Sequence, residues 1–318
     1  MPRKVLVTGG AGFIGSHIAD AFLRAGDQVW IVDDLSSGRA TNIPADARFT
    51  QLDIRDAAID RVFRDAGGFD VISHHAAQID VRVSVTDPRR DAAINVDGFL
   101  NVAEAALRHG CGRFLFVSSG GVVYGEPDVL PTPEETPKQP LSPYGVSKLT
   151  AELYLHYYAR IRGLDYAAVR YSNVYGPRQD PHGEAGVVAI FSTSIGAGTP
   201  LTIFGNGEQT RDYVFVGDVV SANMLLAETS LPAPESLDDR GFNVGTGTQT
   251  SVNELAATLM AAAGRDVDVN FAAPRPGELL RSCLATSKLR RLGWSPAVNL
   301  RQGLEITYRH ITGQEVVV

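Results

Sequence analysis

Lys4-Val5-Leu6-Val7-Thr8-Gly9-Gly10-Ala11-Gly12-Phe13-Ile14-Gly15 opens the chain with a β-rich run and a glycine-rich turn. A helical pattern follows, to about Ala25. Gly9, Gly12 and Gly15 have G-x-x-G-x-x-G spacing between a strand and a helix. Glycines there allow a tight turn and close backbone approach, and the helix offers its first N–H groups, with those of Phe13 and Ile14, to a pyrophosphate. A second strand, Gln28–Val32, ends in Asp33, 18 residues beyond Gly15. A carboxylate at that point accepts from both ribose hydroxyls of an adenosine and repels a 2′-phosphate. Strand, glycine turn, helix, strand and acid in register mark a dinucleotide site, with NAD favoured over NADP.

The α/β alternation continues outward from this unit. Arg48–Leu52 reads as a strand ending in Asp53 and Ile54, where Asp53 can meet the adenine edge. A helix over about Ala58–Asp65 leads to the strand Val71–His74. Ala76, Ala77 and Gln78 follow it, small enough at the alanines for a cofactor to lie near the backbone. Asp91–His109 reads as one long helix, and Phe114–Val117 as a strand running into Ser118-Ser119-Gly120-Gly121. Alternation of this kind implies an α/β fold: a Rossmann-type doubly wound parallel sheet with ligands at the carboxyl ends of its strands. The NAD-binding domain is placed at 1–174. The remainder, 175–318, is mainly a smaller C-terminal α/β substrate-binding domain, with the chain crossing back to the first. Leu231–Arg240 reads as an exposed loop.

Ser142-Pro143-Tyr144-Gly145-Val146-Ser147-Lys148 opens a helical pattern to about Arg162. Ser142 suits the cap and Pro143 the first turn. Tyr144 and Lys148 lie four residues apart, hence on one helix face. A tyrosine titrates near ~10 in water, and a neighbouring ammonium brings that value toward the range useful to a base.

Composition bounds the partners. With 318 residues, 44% hydrophobic and a formal net charge of −7, the chain reads as a globular protein whose main partner is neither nucleic acid nor an anionic membrane. Any phosphate must then be held by local devices. Cys111 and Cys283 are the only cysteines, with no metal-ligand spacing and no disulfide framework, which suits a reducing cytoplasm. His74-His75 reads as strand-end packing, and no metal is expected.

Further motifs carry a specific resemblance. They are Thr8–Gly15, Asp33, His75-Ala76-Ala77, Asn95, Tyr144-x-x-x-Lys148, Arg170-Tyr171-Ser172-Asn173-Val174-Tyr175-Gly176-Pro177-Arg178, Gln209–Val214, Asn243-Val244-Gly245 and Arg275-Pro276-Gly277-Glu278. In this order they resemble an extended short-chain dehydrogenase/reductase of the nucleotide-sugar epimerase/dehydratase family, from end to end. The resemblance implies that Tyr144 is the acid/base and that Lys148 holds the nicotinamide ribose. Asn95, Ser118 and Tyr171 join the cofactor site, while Asn173, Arg211, Arg275 and Glu278 grip a nucleoside diphosphate. It further implies a homodimer through a four-helix bundle of Asp91–His109 and Tyr144–Arg162, whose apolar residues include Phe99, Leu100, Leu149, Leu153 and Tyr157.

The residues before the catalytic helix narrow the reaction. A tyrosinate that removes a sugar hydroxyl proton lets the carbon's hydride pass to NAD, and the resulting ketone has three fates. In the family's 4,6-dehydratases the strand ends in Thr-Asp-Glu, and in its decarboxylases an acid stands two residues before a Tyr-Gly pair. The run here, Ser119-Gly120-Gly121-Val122-Val123-Tyr124-Gly125, has no carboxylate. Epimerisation is the fate left, and resemblance to the family's 4-epimerases implies a UDP-sugar. Counting back four from Tyr124 reaches Gly120, where the family usually has its catalytic Ser or Thr; counting back 25 from Tyr144 reaches Ser119. Ser119 is taken for that hydroxyl. Ser282, four residues beyond Glu278, falls where 4-epimerases restricted to plain hexoses resemble one another in a bulky tyrosine. The rival enzyme is a 4-ketosugar reductase, which releases oxidised cofactor each cycle; the rival non-enzyme is an NAD-binding sensor or structural protein.

Overall fold

The computed structural model describes residues 2–181, 186–274 and 279–314. In chain order, β1 (Lys4–Thr8), α1 (Phe13–Arg24), β2 (Gln28–Asp33), β3 (Arg48–Gln51), α2 (Ile59–Ala66) and β4 (Phe69–His74) alternate as expected. Two short helices follow, α3 (Val81–Thr86) and α4 (Pro88–Ala92), then a π-helical turn (Ala93–Gly98) and α5 (Phe99–His109). The long helix expected from Asp91 therefore begins earlier, at a proline capped by Asp87, whose side chain accepts from the Arg90 amide. It also widens where Gly98 admits the Ile54 side chain; a Cβ there would lie 2.7 Å from Ile54. Next come β5 (Cys111–Ser119), α6 (Gly120–Val123), α7 (Pro143–Arg162) and β6 (Tyr166–Tyr171).

The remaining elements are β7 (Asn173–Tyr175), α8 (Val187–Ala197), β8 (Leu201–Phe204), β9 (Thr210–Arg211), β10 (Tyr213–Phe215) and α9 (Val216–Glu228). After them stand β11 (Gly241–Val244), β12 (Thr250–Ser251), α10 (Val252–Ala263), β13 (Val269–Ala272), α11 (Ser287–Arg291) and α12 (Leu300–Ile311).

The seven-stranded sheet has the order β11-β6-β5-β4-β1-β2-β3. Pairing is parallel from β3 through β2, β1 and β4 to β5. The chain first winds outward from β1 through β2 to β3, then returns to β4 on the other side of β1. That reversal is the switch point at which open α/β sheets bind ligands. Its core packs Leu6, Val32, Phe63, Ile72, Phe99, Phe114, Phe116, Leu155 and Tyr166, all but sealed from solvent. Phe99 is thus core, not surface available to a partner.

Contacts divide the chain into two units that do not follow a single cut at 174. One comprises Met1–Gly125, Pro137–Arg170 and Val220–Phe242; the other comprises Glu126–Thr136, Tyr171–Val219 and Asn243–Val318. Within the second unit, α8, α10 and α12 pack with the parallel pair β8–β13 around Phe191, Ile203, Leu255, Leu259 and Leu304. The segment Leu231–Arg240 is not a plain exposed loop. Arg240 is buried and donates to Asp165 Oδ1 at 2.6 Å and to the Tyr166 carbonyl at 2.8 Å, pinning the segment beside β6.

The glycine turn sits at the switch point under tight constraint. Gly9 has φ +68°, its N–H donates to the Val32 carbonyl at 2.8 Å, and a Cβ on it would lie 2.6 Å from the Ala76 amide nitrogen. Gly9→Ala therefore combines strain at positive φ with a backbone collision. It should cost at least ~1 kcal/mol, read as a lower midpoint in chemical denaturation; an unchanged midpoint would refute the close approach.

Candidate active site

The turn from β1 to α1 is shaped for a pyrophosphate. A Cβ on Gly15 would lie 2.2 Å from the Gly9 carbonyl oxygen, so the helix packs directly on the turn. Gly12 caps α1 with no side-chain hydrogen bond of its own. The opening amides, including those of Phe13 and Ile14, are left to an anion. Asp33, at the end of β2, is buried. Its Oδ2 accepts from the Ala11 amide at 2.9 Å and its Oδ1 from the Leu35 amide at 2.8 Å. Burial raises its pKa, and those two amides oppose the rise. Each oxygen keeps a second lone pair for a ribose hydroxyl.

Beyond β4, Asn95 locks the loop. Its side chain accepts from the Gln78 amide and donates to the Gln78 carbonyl, each at 2.9 Å, and donates to Asp91 Oδ1 at 2.9 Å. Ala76 and Ala77 lie on the loop so held, both half-buried. Asp53, expected at the adenine edge, and Ile54, expected at the cofactor, follow β3. Arg55 forks onto the Asp53 carboxylate, with Nε 3.0 Å from each oxygen, and holds its pKa down. Ile54 buries its side chain in the core.

Helix α7 begins as the sequence predicts, with the Ser142 hydroxyl accepting from the Gly145 amide at 3.2 Å. Tyr144 is half-buried and Lys148 is buried, and the Lys148 ammonium lies 5.7 Å from the Tyr144 ring centroid. Lys148 Nζ donates to the Val117 carbonyl at 2.9 Å, which ties the helix to the carboxyl end of β5. Burial brings its pKa down to about 8, while Asp91 and Glu152 favour the charged form. Ser119, half-buried, is the last residue of β5. Its neighbour Ser118 is buried and donates to Glu152 Oε1 at 2.5 Å, so this serine serves the helix rather than offering a free hydroxyl. His74 and His75 pack at the end of β4. His74 shares a 2.9 Å hydrogen bond with Thr8 and stacks on Phe116; burial, helped by Lys148, takes the His75 pKa down to about 3.

In the second unit, Asn173, Arg211 and Ser282 lie on adjoining segments. The Asn173 amide donates to the Asp212 carbonyl at 2.9 Å and the Ser282 amide to the Thr210 carbonyl at 3.2 Å, flanking Arg211. Asn173 is exposed, Arg211 half-buried and Ser282 buried. Tyr171 is buried at the end of β6. Arg275 and Glu278 lie outside the described residues, as does part of the Arg178–Gly186 loop.

Sequence reasoning missed three buried acids. Asp91 accepts from Ser147, Gln78 and Asn95. Glu152 pairs with Arg170 at 2.6 Å. Asp212 accepts from the amides of Thr246, Gly247 and Leu284 and from the Thr246 hydroxyl. The available signal was position: an acid four residues beyond Lys148, and another directly after Arg211.

Comparison with known proteins agrees with this fold. The model of the NAD dependent epimerase/dehydratase family matches residues 5–245. The chain belongs to this family. It is 46% identical over 310 residues to the UDP-glucose 4-epimerase of Mycolicibacterium smegmatis, covering 96% of this chain and 97% of that one. Its fold matches the UDP-glucose 4-epimerase of Thermotoga maritima solved with UDP-glucose, at TM-score 0.92 and 43% identity over 98% of this chain and 99% of the other. The Thermus thermophilus UDP-glucose 4-epimerase in complex with NAD matches at TM-score 0.91 and 42% identity, covering 98% and 99%.

The family's cofactor is NAD, and the α1 terminus and the Asp33 carboxylate fit its pyrophosphate and adenosine ribose. Asp33→Ala should weaken NAD binding and relax discrimination against NADP, because the repelling carboxylate is lost. Titration of both cofactors followed by fluorescence measures the ratio; an unchanged ratio would remove Asp33 from ribose recognition.

Proposed function

We propose that the chain is a UDP-hexose 4-epimerase, interconverting UDP-glucose and UDP-galactose through a transient 4-ketosugar. The carrying observation is the half-buried Tyr144 beside the buried Lys148 ammonium, next to a β5–α6 run with no carboxylate. Bound NAD supplies a hydride acceptor that also gives the hydride back. Tyr144, as phenolate favoured by Lys148, takes the proton from the C4 hydroxyl and returns it when the ketone is reduced on its other face. Ser119 is assigned to hydrogen-bond that same oxygen. Elimination of water needs an acid to protonate the departing hydroxyl, and Gly120, Gly121, Val122 and Val123 supply none. Arg211 suits a diphosphate through its planar fork of donors. Asn173, Arg275 and Glu278 are assigned with it to the nucleotide. Tyr144→Phe should abolish turnover, by at least about a hundredfold, while leaving NAD and UDP-sugar binding nearly intact. A coupled assay with calorimetry tests this, and activity within a few-fold of the parent would remove Tyr144 from the mechanism.

Ser282 is proposed to leave room beside the sugar's C2 substituent, so that UDP-N-acetylglucosamine is also accepted. Ser282→Tyr should suppress the N-acetyl reaction far more than the hexose reaction. NMR of products from both substrates reads the ratio, and equal loss of the two would mean that Ser282 only packs.

The chain is further proposed to be a homodimer of the reducing cytoplasm, where its free Cys111 and Cys283 stay thiols. Helix α7 exposes Val146, Leu153, Tyr157 and Ile161, each about half or more open to solvent, in the pattern that a second copy would cover. Light scattering at micromolar concentration should give twice the 34.1 kDa chain mass. A monomer mass would refute the dimer.

A further inference from the structure

One buried carboxylate on the catalytic helix has no part in the chemistry assigned to Tyr144 and Lys148. Glu152 stands one turn beyond Lys148 on α7, so Tyr144, Lys148 and Glu152 repeat at four-residue spacing along one face. Its side chain is wholly buried, and so is that of Arg170, which grips it. Arg170 Nη2 lies 2.6 Å from Oε2, and its Nε lies 3.1 Å from Oε1. Arg170 also donates to the Tyr124 hydroxyl at 2.9 Å and to Asp238 Oδ1 at 3.1 Å. Asp238 in turn pairs with Lys138. From the sheet, the Ser118 hydroxyl donates to Glu152 Oε1 at 2.5 Å, one residue beyond the Val117 carbonyl that receives Lys148.

The charged groups around Lys148 come from several elements. Asp91 comes from α4, Glu152 from α7, and the two histidines from the end of β4. Tyr144 and Phe116 present their rings to the ammonium. Both histidines are held neutral by burial and by the lysine's charge. Lys148 has two acids that favour its charged form, Asp91 and Glu152, and Arg170 has Glu152 and Asp238. Glu152 is the anion that serves both cations. Removing it would take from Lys148 one of its two acids, in a buried setting where loss of an opposite charge disfavours the ammonium.

We propose that Glu152 is a positioning residue for the catalytic pair: its charge supports the Lys148 ammonium one turn away, and its bond to Ser118 fixes the strand end that receives that ammonium. It acts through Lys148 and touches no substrate. The proposal rests on the assignment of Tyr144 and Lys148 to the chemistry of a 4-epimerase, and its first readout does not need turnover.

The experiment is an NMR titration of Lys148 in protein carrying 13C at the lysine ε-carbons, with the resonance assigned by its loss in Lys148→Met. The parent should titrate near 8, where burial opposed by the two acids places it. Glu152→Gln keeps the shape and drops the charge; it should lower the Lys148 titration by about one pH unit or more. The double variant Glu152→Gln, Arg170→Gln leaves no unpaired guanidinium in the core and should lower it as well. In active variants the alkaline limb of kcat/KM should move with the titration, since loss of the ammonium removes its support for the Tyr144 phenolate. A purely structural Glu152 would lower activity or thermal stability in the variants without moving either curve. If Glu152→Gln does not fold, the neutral double variant still gives the sign. Identical Lys148 titration in parent and variants would overturn the proposal. If the titrations shift as expected while the parent turns over no UDP-hexose, the role of Glu152 stands and the assigned reaction falls instead.

Discussion

An ammonium with no water to solvate it is the constraint on which the first unit depends. Lys148 is only 3% exposed and makes its hydrogen bond to a main-chain carbonyl, that of Val117. A buried charge is tolerated only when it is hydrogen-bonded and balanced. The balancing acids are themselves tied down. Asp91 accepts from Ser147 on the same helix as Lys148, and also from Gln78 and Asn95. Asn95 closes on the Gln78 backbone from a π-helical turn. One charge thus links α7, the end of β5, the widened turn before α5 and the loop after β4. Those segments carry Lys148, Ser118, Asn95 and Gln78, the residues expected at the cofactor.

The parts of this arrangement legible in the sequence were those with local signatures. β1, the glycine turn, α1 and Asp33 stand in one continuous run, and each residue's role follows from its neighbours. The cap at Ser142 and the spacing of Tyr144 and Lys148 are likewise local. Pairings between distant residues stayed hidden. Nothing near Glu152 announces that Arg170 will reach it from the next strand, and nothing near Asp91 announces Ser147. Asp53 was read by its place at a strand end, and its ion pair with Arg55 was not read with it. Leu231–Arg240 looked like solvent-exposed loop because its prolines and acids are polar-surface composition. Buried arginine pairing turned it inward.

The second unit solves a similar problem with a carboxylate instead of an ammonium. Asp212 is sealed from solvent and has four main- and side-chain donors aimed at it: Thr246 N and Oγ1, Gly247 N and Leu284 N. Burial raises its pKa, and these donors oppose the rise. The Asp212 carbonyl meanwhile accepts from Asn173. The residue beside Arg211 thereby fixes β7, β9 and the segment carrying Ser282 to one another. In a chain of net charge −7, a guanidinium competes for an anionic ligand only if it is held in place and not drawn to the surface acids. Asp212 holds the segment that carries Arg211 in place through neutral donors.

Fixed and exchangeable parts of the first unit also bear on why one scaffold supports several fates for a ketosugar. In the proposed reaction the ammonium is fixed by burial and the base by its place in the first turn of α7, so neither is the part expected to vary between outcomes. The run after β5 is different. Helix α6 has only four residues, and it presses on α7 directly behind Tyr144: a Cβ on Gly145 would lie 2.9 Å from the Val122 carbonyl oxygen. The backbone of that run is therefore held against the base whatever its side chains are, and Val123 is already sealed in the core. Exchanging a side chain at a position so held changes which proton donors stand near the sugar without disturbing Tyr144 or Lys148. With glycine and valine there, this run offers the ketone of the proposed reaction no acid that could expel a neighbouring hydroxyl. On that reading two layers share the work: a buried electrostatic layer around Lys148 supports oxidation at C4, and a thin layer of side chains at 119–125 bears on the fate of the ketone.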